Sequence, residues 1–372
     1  MTDKVIVEGM ARVVVPEGVF YNPLARFSRS FAIPILAMES SIRGRELIVG
    51  DLMAASGVRG IRYFLESGCV SEVWFNDRSR KAFDTIKLNV RENGVDGRVF
   101  NMDVRALLYS DALYKLDFID IDPFGTPSPY IDSAVASVRE GGLVVLTATD
   151  LTALCGLYPR AAFRKYFSMV RKTWFCHEVA LRVLIYSCLV AAGRHDRYIE
   201  PVISVFTEQY ARVYLRVREG KIRYPYGSVG FILYREGESI DVAPLKSIGG
   251  EASIEKGVMV IGPMWIGPLH NKDFIDGIFD RELFNRIAVE GDRLRAAKLL
   301  KVMRGEADLP PYYYDIHKLS SMVGISPPPV DKVIRLLVDA GYRVSRTQFS
   351  GHGLKTDCSL RDFLDLLRGL PR

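Results

Sequence analysis

The sequence predicts an α/β protein built on a mostly parallel sheet, followed by a smaller C-terminal α+β region. Three observations carry this. Strand-like apolar runs alternate with helical stretches from residue 47 to residue 149, the rhythm of successive βαβ units. Four of those runs end on an aspartate, at Asp51, Asp77, Asp103 and Asp122. After the Gly/Pro-rich stretch 262–268 the composition turns helical and basic. A chain of 372 residues with 48% hydrophobic content can bury a large core, and this length suits two domains, divided between residues 262 and 263.

The N-terminus, Met1-Thr2-Asp3-Lys4, opens on charge with no apolar signal core behind it. The longest apolar run, Val183 to Ala192, is broken by Tyr186, Ser187 and Cys188 and is too short to span a bilayer. A cytoplasmic protein with no membrane partner is expected. Lys and Arg number 50 against 44 Asp and Glu, a mild excess that permits a polyanionic partner without demanding one. The five cysteines are scattered and contain no Cys-x-x-Cys pair, so neither a disulfide framework nor a metal is expected. Cys176-His177 invites a metal or nucleophile reading, but Cys176 precedes an apolar helical pattern and reads as core.

Residues 4–15 alternate β-branched side chains around Gly9 and predict a hairpin. The helix after Pro23 sets Arg26 and Arg29 on related faces. Such arginines are usually solvated, but these precede a nucleotide-type fold, which keeps Arg29 as a candidate. Leu47 to Leu52 is a buried strand, and the small residues from Ala54 to Gly60 let the following loop approach a ligand, a dinucleotide as readily as any other. The next strand ends at Asp77, suited to grip both hydroxyls of a ribose. Arg98 to Asp103 ends on an acid that can meet an adenine amino group.

The stretch Phe118 to Pro127 organises the rest. Its strand is expected to end at Asp122, because Pro123 removes a backbone donor and Gly125 permits a sharp turn. A carboxylate at the carboxyl end of such a strand sits where ligands bind. An exocyclic amine lends its lone pair to its ring, so methylating it requires an acceptor that holds the N–H and aims the nitrogen. Asp122 can be that acceptor, Phe124 can stack on the base, and apolar Pro123 suits an extruded nucleotide. The bland alternative is a plain βα loop with a solvated acid.

A fifth strand runs from Gly142 to Asp150, after a helix at Asp132 to Arg139. Pro159 to Lys172 then reads as an amphipathic helix carrying Arg160, Arg164, Lys165, Arg171 and Lys172, either a solvated basic face or a surface for phosphates. A helix from His177 to Ala192 leads to a strand at Val202 to Phe206. A strict alternation follows, setting Val213, Leu215 and Val217 against Arg212, Arg216 and Arg218, and these antiparallel strands would close the sheet. Residues 220–262 form an excursion with two short strands, Gly230 to Tyr234 and Val258 to Ile261. Beyond 268 the pattern gives helices at Arg281 to Arg304, Ile316 to Val323 and Pro327 to Ala340, then a strand-like Tyr342 to Phe349. Two helices across a short turn followed by strands resemble a winged helix, made basic by His317, Lys318, Lys332, Arg335, Arg343, Arg346, His352 and Lys355.

Phe20-Tyr21-Asn22-Pro23, the loop Ala55 to Arg62, Asn76-Asp77, Asp122 to Pro127, Thr147 to Asp150, Cys176-His177-Glu178, Gly262-Pro263 with Trp265, and Tyr313 to Asp315 through Lys355 to Asp357 together carry a resemblance. Over nearly its whole length the chain resembles the tRNA (guanine-26-N2)-dimethyltransferase family in its archaeal form. The resemblance implies a class I S-adenosylmethionine-dependent, Rossmann-like methyltransferase domain over 1–262 and a C-terminal tRNA-binding domain over 263–372. It implies S-adenosyl-L-methionine as cofactor, tRNA as partner, and two methyl groups delivered to N2 of guanosine 26; a monomer is expected. Cofactor contacts carry over to Arg29, Arg59, Arg62, Asp77, Asp103 and Val104, and the catalytic acid to Asp122. Two departures stand out. The stretch 220–262 lacks the four zinc-binding cysteines of many relatives, and Ser28-Arg29-Ser30 stands where Asn-Arg-Asp is common. A nicotinamide-linked dehydrogenase, a methyltransferase of DNA or of small amines, and a non-catalytic RNA-binding protein are the rival readings.

Overall fold

A computed structural model describes residues 4–110, 112–207, 209–220, 226–245 and 256–370. Parts of the 220–262 excursion, at 221–225 and 246–255, lie outside the described residues. The central sheet holds seven strands: β3 (Leu47–Asp51), β4 (Val70–Asn76), β5 (Gly97–Phe100), β6 (Phe118–Ile121), β7 (Leu143–Ala148), β8 (Arg197–Phe206) and β9 (Ala211–Glu219). Their order is β5-β4-β3-β6-β7-β9-β8. The first five are parallel, and β9 pairs antiparallel with both β7 and β8. The order reverses between β3 and β6, which opens a crevice at their carboxyl ends.

Apolar runs on these strands are continuous because helices cover both faces. Val49, Val73, Phe75 and Phe118 pack with α1 (Arg26–Arg43), α2 (Val58–Ser67) and α3 (Arg80–Glu92), over which the hairpin β1 (Lys4–Glu8) and β2 (Ala11–Val15) lies. Trp74, Ile119, Ile121 and Val144 face the other way, against α4 (Val104–Tyr109), α5 (Ile131–Ser137) and α8 (Cys176–Gly193). Each such side chain contributes about 1.5–3 kcal/mol relative to exposure. By length and composition α8 could cross a membrane, but it is packed mostly inside the protein.

Between β7 and α8 lie the short α6 (Leu151–Leu154) and α7 (Pro159–Tyr166). The helix expected to reach Lys172 stops early, with Phe167 left-handed at φ 54°. The cause is tertiary: Met169 exchanges two backbone hydrogen bonds of 2.8 Å with Gly262, which pulls the chain out of helical geometry.

The excursion forms a sheet ordered β11-β10-β12, from β10 (Val229–Arg235), β11 (Ser239–Pro244) and β12 (Met259–Trp265). The sequence pattern had no strand at β11, and the division expected at 262/263 falls inside β12. After α9 (Lys272–Asp280), α10 spans Glu290–Glu306 rather than starting at Arg281. The residues before it are tied elsewhere: Arg286 donates to the Ser67 carbonyl and Ala288 N–H to Glu66 at 3.2 Å. Asp292 on α10 accepts from Ser30 Oγ at 2.7 Å and Arg26 Nε at 3.0 Å, which fastens this helix to α1.

The remaining elements are β13 (Tyr314–Asp315), α11 (Ile316–Val323), α12 (Val330–Asp339), β14 (Val344–Arg346), β15 (Gly353–Thr356) and α13 (Leu360–Arg368). With sheet order β13-β15-β14, they make a winged-helix arrangement behind α10. Lys355 is not part of its basic surface. It is buried, and its Nζ meets Glu178 of α8. Trp174 Nε1 donates to the Tyr313 carbonyl at 3.1 Å across the same seam.

Candidate active site

A cavity of about 740 Å3 opens at the reversal point, and Asp51, Asp77, Asp103 and Asp122 all line it. Its loops are locked to one another. The Asn76 amide donates to the carbonyls of Leu52 at 3.1 Å and Met102 at 3.2 Å, so one side chain joins the ends of three strands. Ala55, at φ 50°, turns its N–H onto Asp77 Oδ2 at 2.9 Å, and Ser79 N–H meets Oδ1 at 2.8 Å. Asp77 is thereby fixed with its remaining lone pairs available to a diol. Asp103 caps α4 and is gripped by the Arg105 guanidinium, with Nε and Nη2 each at 2.9 Å. The Arg105 hydrogen bonds hold its carboxyl down at about 2. Val104 lies buried beside it. Asp77→Ala is expected to weaken cofactor binding by about 1.5–3 kcal/mol, the scale of a hydrogen bond to a charged group. Calorimetry checks this, and unchanged affinity would remove Asp77 from the cofactor site.

The floor is a buried chain of charges. Arg59 of α2 reaches Asp122 Oδ2 through Nη2 and lies 3.5 Å from Asp120. Burial opposes its charge, but the carboxylates of Asp120 and Asp122 outweigh burial and raise its pKa. Asp120 also accepts from Arg212 Nη1 at 3.0 Å and Tyr63 OH at 2.7 Å. Asp51 accepts the Gly60 N–H at 2.9 Å, and complete burial pushes its carboxyl up to about 7. Asp122 is the most exposed of this group, its side chain 27% exposed at the cavity wall. It is the first residue beyond β6, which ends at Ile121 and not at Asp122. Gly125, at φ 79°, completes the turn, and its N–H meets Thr149 Oγ1 at 2.8 Å. Pro123 is buried, while Phe124 stands 78% exposed with the Phe20 ring set edge-on at 4.6 Å.

Arg29 lines the cavity, though buried, with Nε 2.7 Å from Glu8 Oε1. Arg62 does not line it. Its guanidinium is enclosed and donates to Glu8, Glu66, Ser30 and the Arg26 carbonyl, so all five N–H groups are engaged within the fold. The expectation that Arg62 touches the cofactor is corrected to a structural ion pair. Sequence reasoning missed Asp120, Tyr63 and Arg212, which support Asp122 from beneath.

Arg160, Arg164, Arg171 and Lys172 are exposed on and after α7, beside Phe163 and Phe167 at 54% and 64% exposure. Lys165 is less exposed than these, its Nζ paired with Asp150 Oδ2 at 2.8 Å. α7 is bolted to the Asp122 loop, with Tyr166 OH 2.7 Å from Thr126 Oγ1 and Ser128 Oγ donating to the Lys165 carbonyl at 3.0 Å. In the C-terminal region Lys332 and Arg335 are exposed. Arg343 and Arg346 form surface pairs with Asp357 and Asp331, each at 2.8 Å, contacts weak enough to exchange for phosphate.

A family model described as N2,N2-dimethylguanosine tRNA methyltransferase matches residues 2–368. The chain is 36% identical over 378 residues to the tRNA (guanine(26)-N(2))-dimethyltransferase of Methanothermobacter thermautotrophicus, with 98% of each covered. Against the enzyme of that name from Archaeoglobus fulgidus it is 35% identical over 373 residues, with 97% of each covered. The structure of Trm1 from Pyrococcus horikoshii with S-adenosyl-L-methionine superposes with a TM-score of 0.86 at 28% identity, covering 98% of this chain and 99% of that one. With sequence and fold matched from end to end, the chain belongs to the N2,N2-dimethylguanosine tRNA methyltransferase family.

Proposed function

We propose that this protein transfers two methyl groups in succession from S-adenosyl-L-methionine to the exocyclic N2 of guanosine 26 in tRNA. The observation that carries the reading is Asp122: an acid opening to the cavity, backed by buried Arg59 and followed by the exposed ring of Phe124. S-adenosylmethionine supplies an electrophilic sulfonium methyl. The rest is orientation by the protein. In this reading Asp77 takes the ribose hydroxyls and Asp103 the adenine edge, supported by their position on the cavity wall with Val104 and Ala54 to Ser56.

N2 lies inside the RNA stack, so the guanosine must be extruded. Phe124 and Phe20 offer it a ring surface at the mouth, and Pro123 an apolar wall. Asp122 accepts one N2–H, turns the nitrogen lone pair toward the methyl, and takes the proton as the nitrogen gains its substituent. After one round N2 retains a single N–H, which Asp122 can accept again. After two there is none, and the reaction stops at the dimethyl product. Mass spectrometry of an unmodified tRNA transcript incubated with protein and methyl donor tests this, and absence of dimethylguanosine at that position rejects it.

The RNA surface follows from exposed charge beside exposed rings. Arg160, Arg164, Arg171 and Lys172 meet phosphates, as do Lys332, Arg335, Arg343 and Arg346, while Phe163 and Phe167 face unstacked bases. Log affinity for tRNA is expected to fall linearly with log salt, by about 0.7–0.9 per phosphate contacted. Arg160→Glu with Arg164→Glu should reduce that slope and leave cofactor affinity unchanged. Filter binding across a salt series decides it, and a slope unaltered by both substitutions excludes α7 from the interface.

A further inference from the structure

Cys155, Cys176 and His177 meet in space, with one ligand atom from each within 4.8 Å of the others. Cys155 follows the last residue of α6, and Cys176 and His177 begin α8. Between them, residues 156–175 leave this point and return to it, carrying Arg160, Phe163, Arg164, Phe167, Arg171 and Lys172. The base of this excursion is pinched. Gly156, at φ 82°, sits so close to Arg171 that a β-carbon there would lie 2.3 Å from the Arg171 carbonyl carbon.

The three side chains are arranged as ligands. Cys176 lies at the positive end of an 18-residue helix. The His177 ring is oriented: it stacks on Phe206 at 4.5 Å, and Nδ1 lies 3.3 Å from the Phe349 carbonyl oxygen. An Nδ1–H donated there leaves Nε2 with its lone pair, as metal-binding histidines are commonly held. Close by in the chain, the Thr173 hydroxyl is buried with no hydrogen-bond partner.

We propose that Cys155, Cys176 and His177 form a site for a soft divalent cation of the zinc class, a clasp at the base of the excursion that faces RNA. Two sulfurs and an imidazole suit zinc, and three protein ligands leave its fourth position to water. This is not the four-cysteine site of relatives, whose ligands residues 220–262 lack. Closing residues 156–175 at their base restricts the segment that carries the basic and aromatic side chains. Only that last role rests on the tRNA reading.

The test uses the full chain, purified without chelating resin or a histidine tag. Elemental analysis should find a single zinc per chain. The reduced, metal-free protein titrated with cobalt(II) should develop a thiolate-to-cobalt charge-transfer band and lose two reactive thiols to protection. Cys155→Ser and Cys176→Ser should each abolish the band, and metal should slow hydrogen exchange over residues 156–172 several-fold. Should either variant misfold, the wild-type cobalt spectrum and thiol count decide alone. The proposal is overturned if reduced wild type gives no thiolate band with cobalt, if the band survives both substitutions, or if the pair forms a disulfide in reducing buffer. A protein that methylates tRNA without binding cobalt sinks the clasp only. One that binds cobalt and leaves tRNA unmodified sinks the tRNA reading only.

Discussion

Asp122→Asn is expected to slow methyl transfer by about two to four orders of magnitude while leaving S-adenosylmethionine affinity within a few-fold. The amide keeps the shape of the side chain and can still hold an N–H through its carbonyl oxygen. It cannot take the proton that N2 must shed, and it no longer offers an anion to the nitrogen as positive charge develops. Asp77 and Asp103, proposed for the cofactor, follow other strands and are untouched. Single-turnover rates on tRNA, with calorimetry for the cofactor, separate these effects. A variant retaining near-native turnover would remove Asp122 from the proton path.

The second large effect is on stability. Arg212→Met removes the main partner of Asp120, a residue 1% exposed. Breaking a buried pair from one side costs about 3–5 kcal/mol, because the charge left behind has no solvent to turn to. Tyr63 and Arg59 remain near Asp120, but Arg59 is already committed to Asp122. A rearrangement that draws Arg59 toward Asp120 would release Asp122, so turnover should fall together with stability. Urea unfolding measures the first and single-turnover kinetics the second. A loss below about 1 kcal/mol would mean that Tyr63 and Arg59 satisfy Asp120 unaided.

Much of the sheet was legible because its strands are short apolar runs with an acid at or just beyond the end, a pattern set by covered faces and a ligand crevice. The carboxylates at Asp77, Asp103 and Asp122 and the exposed Phe124 were legible for the same reason, and all four line the cavity. Arg212 was not. Its alternation on β9 reads as one wet face, yet both faces of β9 are covered, and Arg212 and Arg216 each pair with a buried acid, Asp120 and Glu39. The end of α7, the start of α10 and the enclosure of Arg62 were hidden too. Each depends on a contact between residues far apart in the chain, Met169 with Gly262, Ala288 with Glu66, and Arg62 with Glu8, which no local pattern encodes.

The seam between α8 and the winged helix has one more consequence. Lys355 against Glu178, and Trp174 against Tyr313, tie the C-terminal basic surface to the body that carries α7, while Tyr166 ties α7 to the Asp122 loop. On the proposed RNA surface, the spacing from the far basic side chains to Asp122 is therefore set by packed side chains, as in a caliper. An RNA meeting both would present the nucleotide that lies at the matching distance, and a base pair inserted between the two contacts would be expected to lower methylation at the original guanosine.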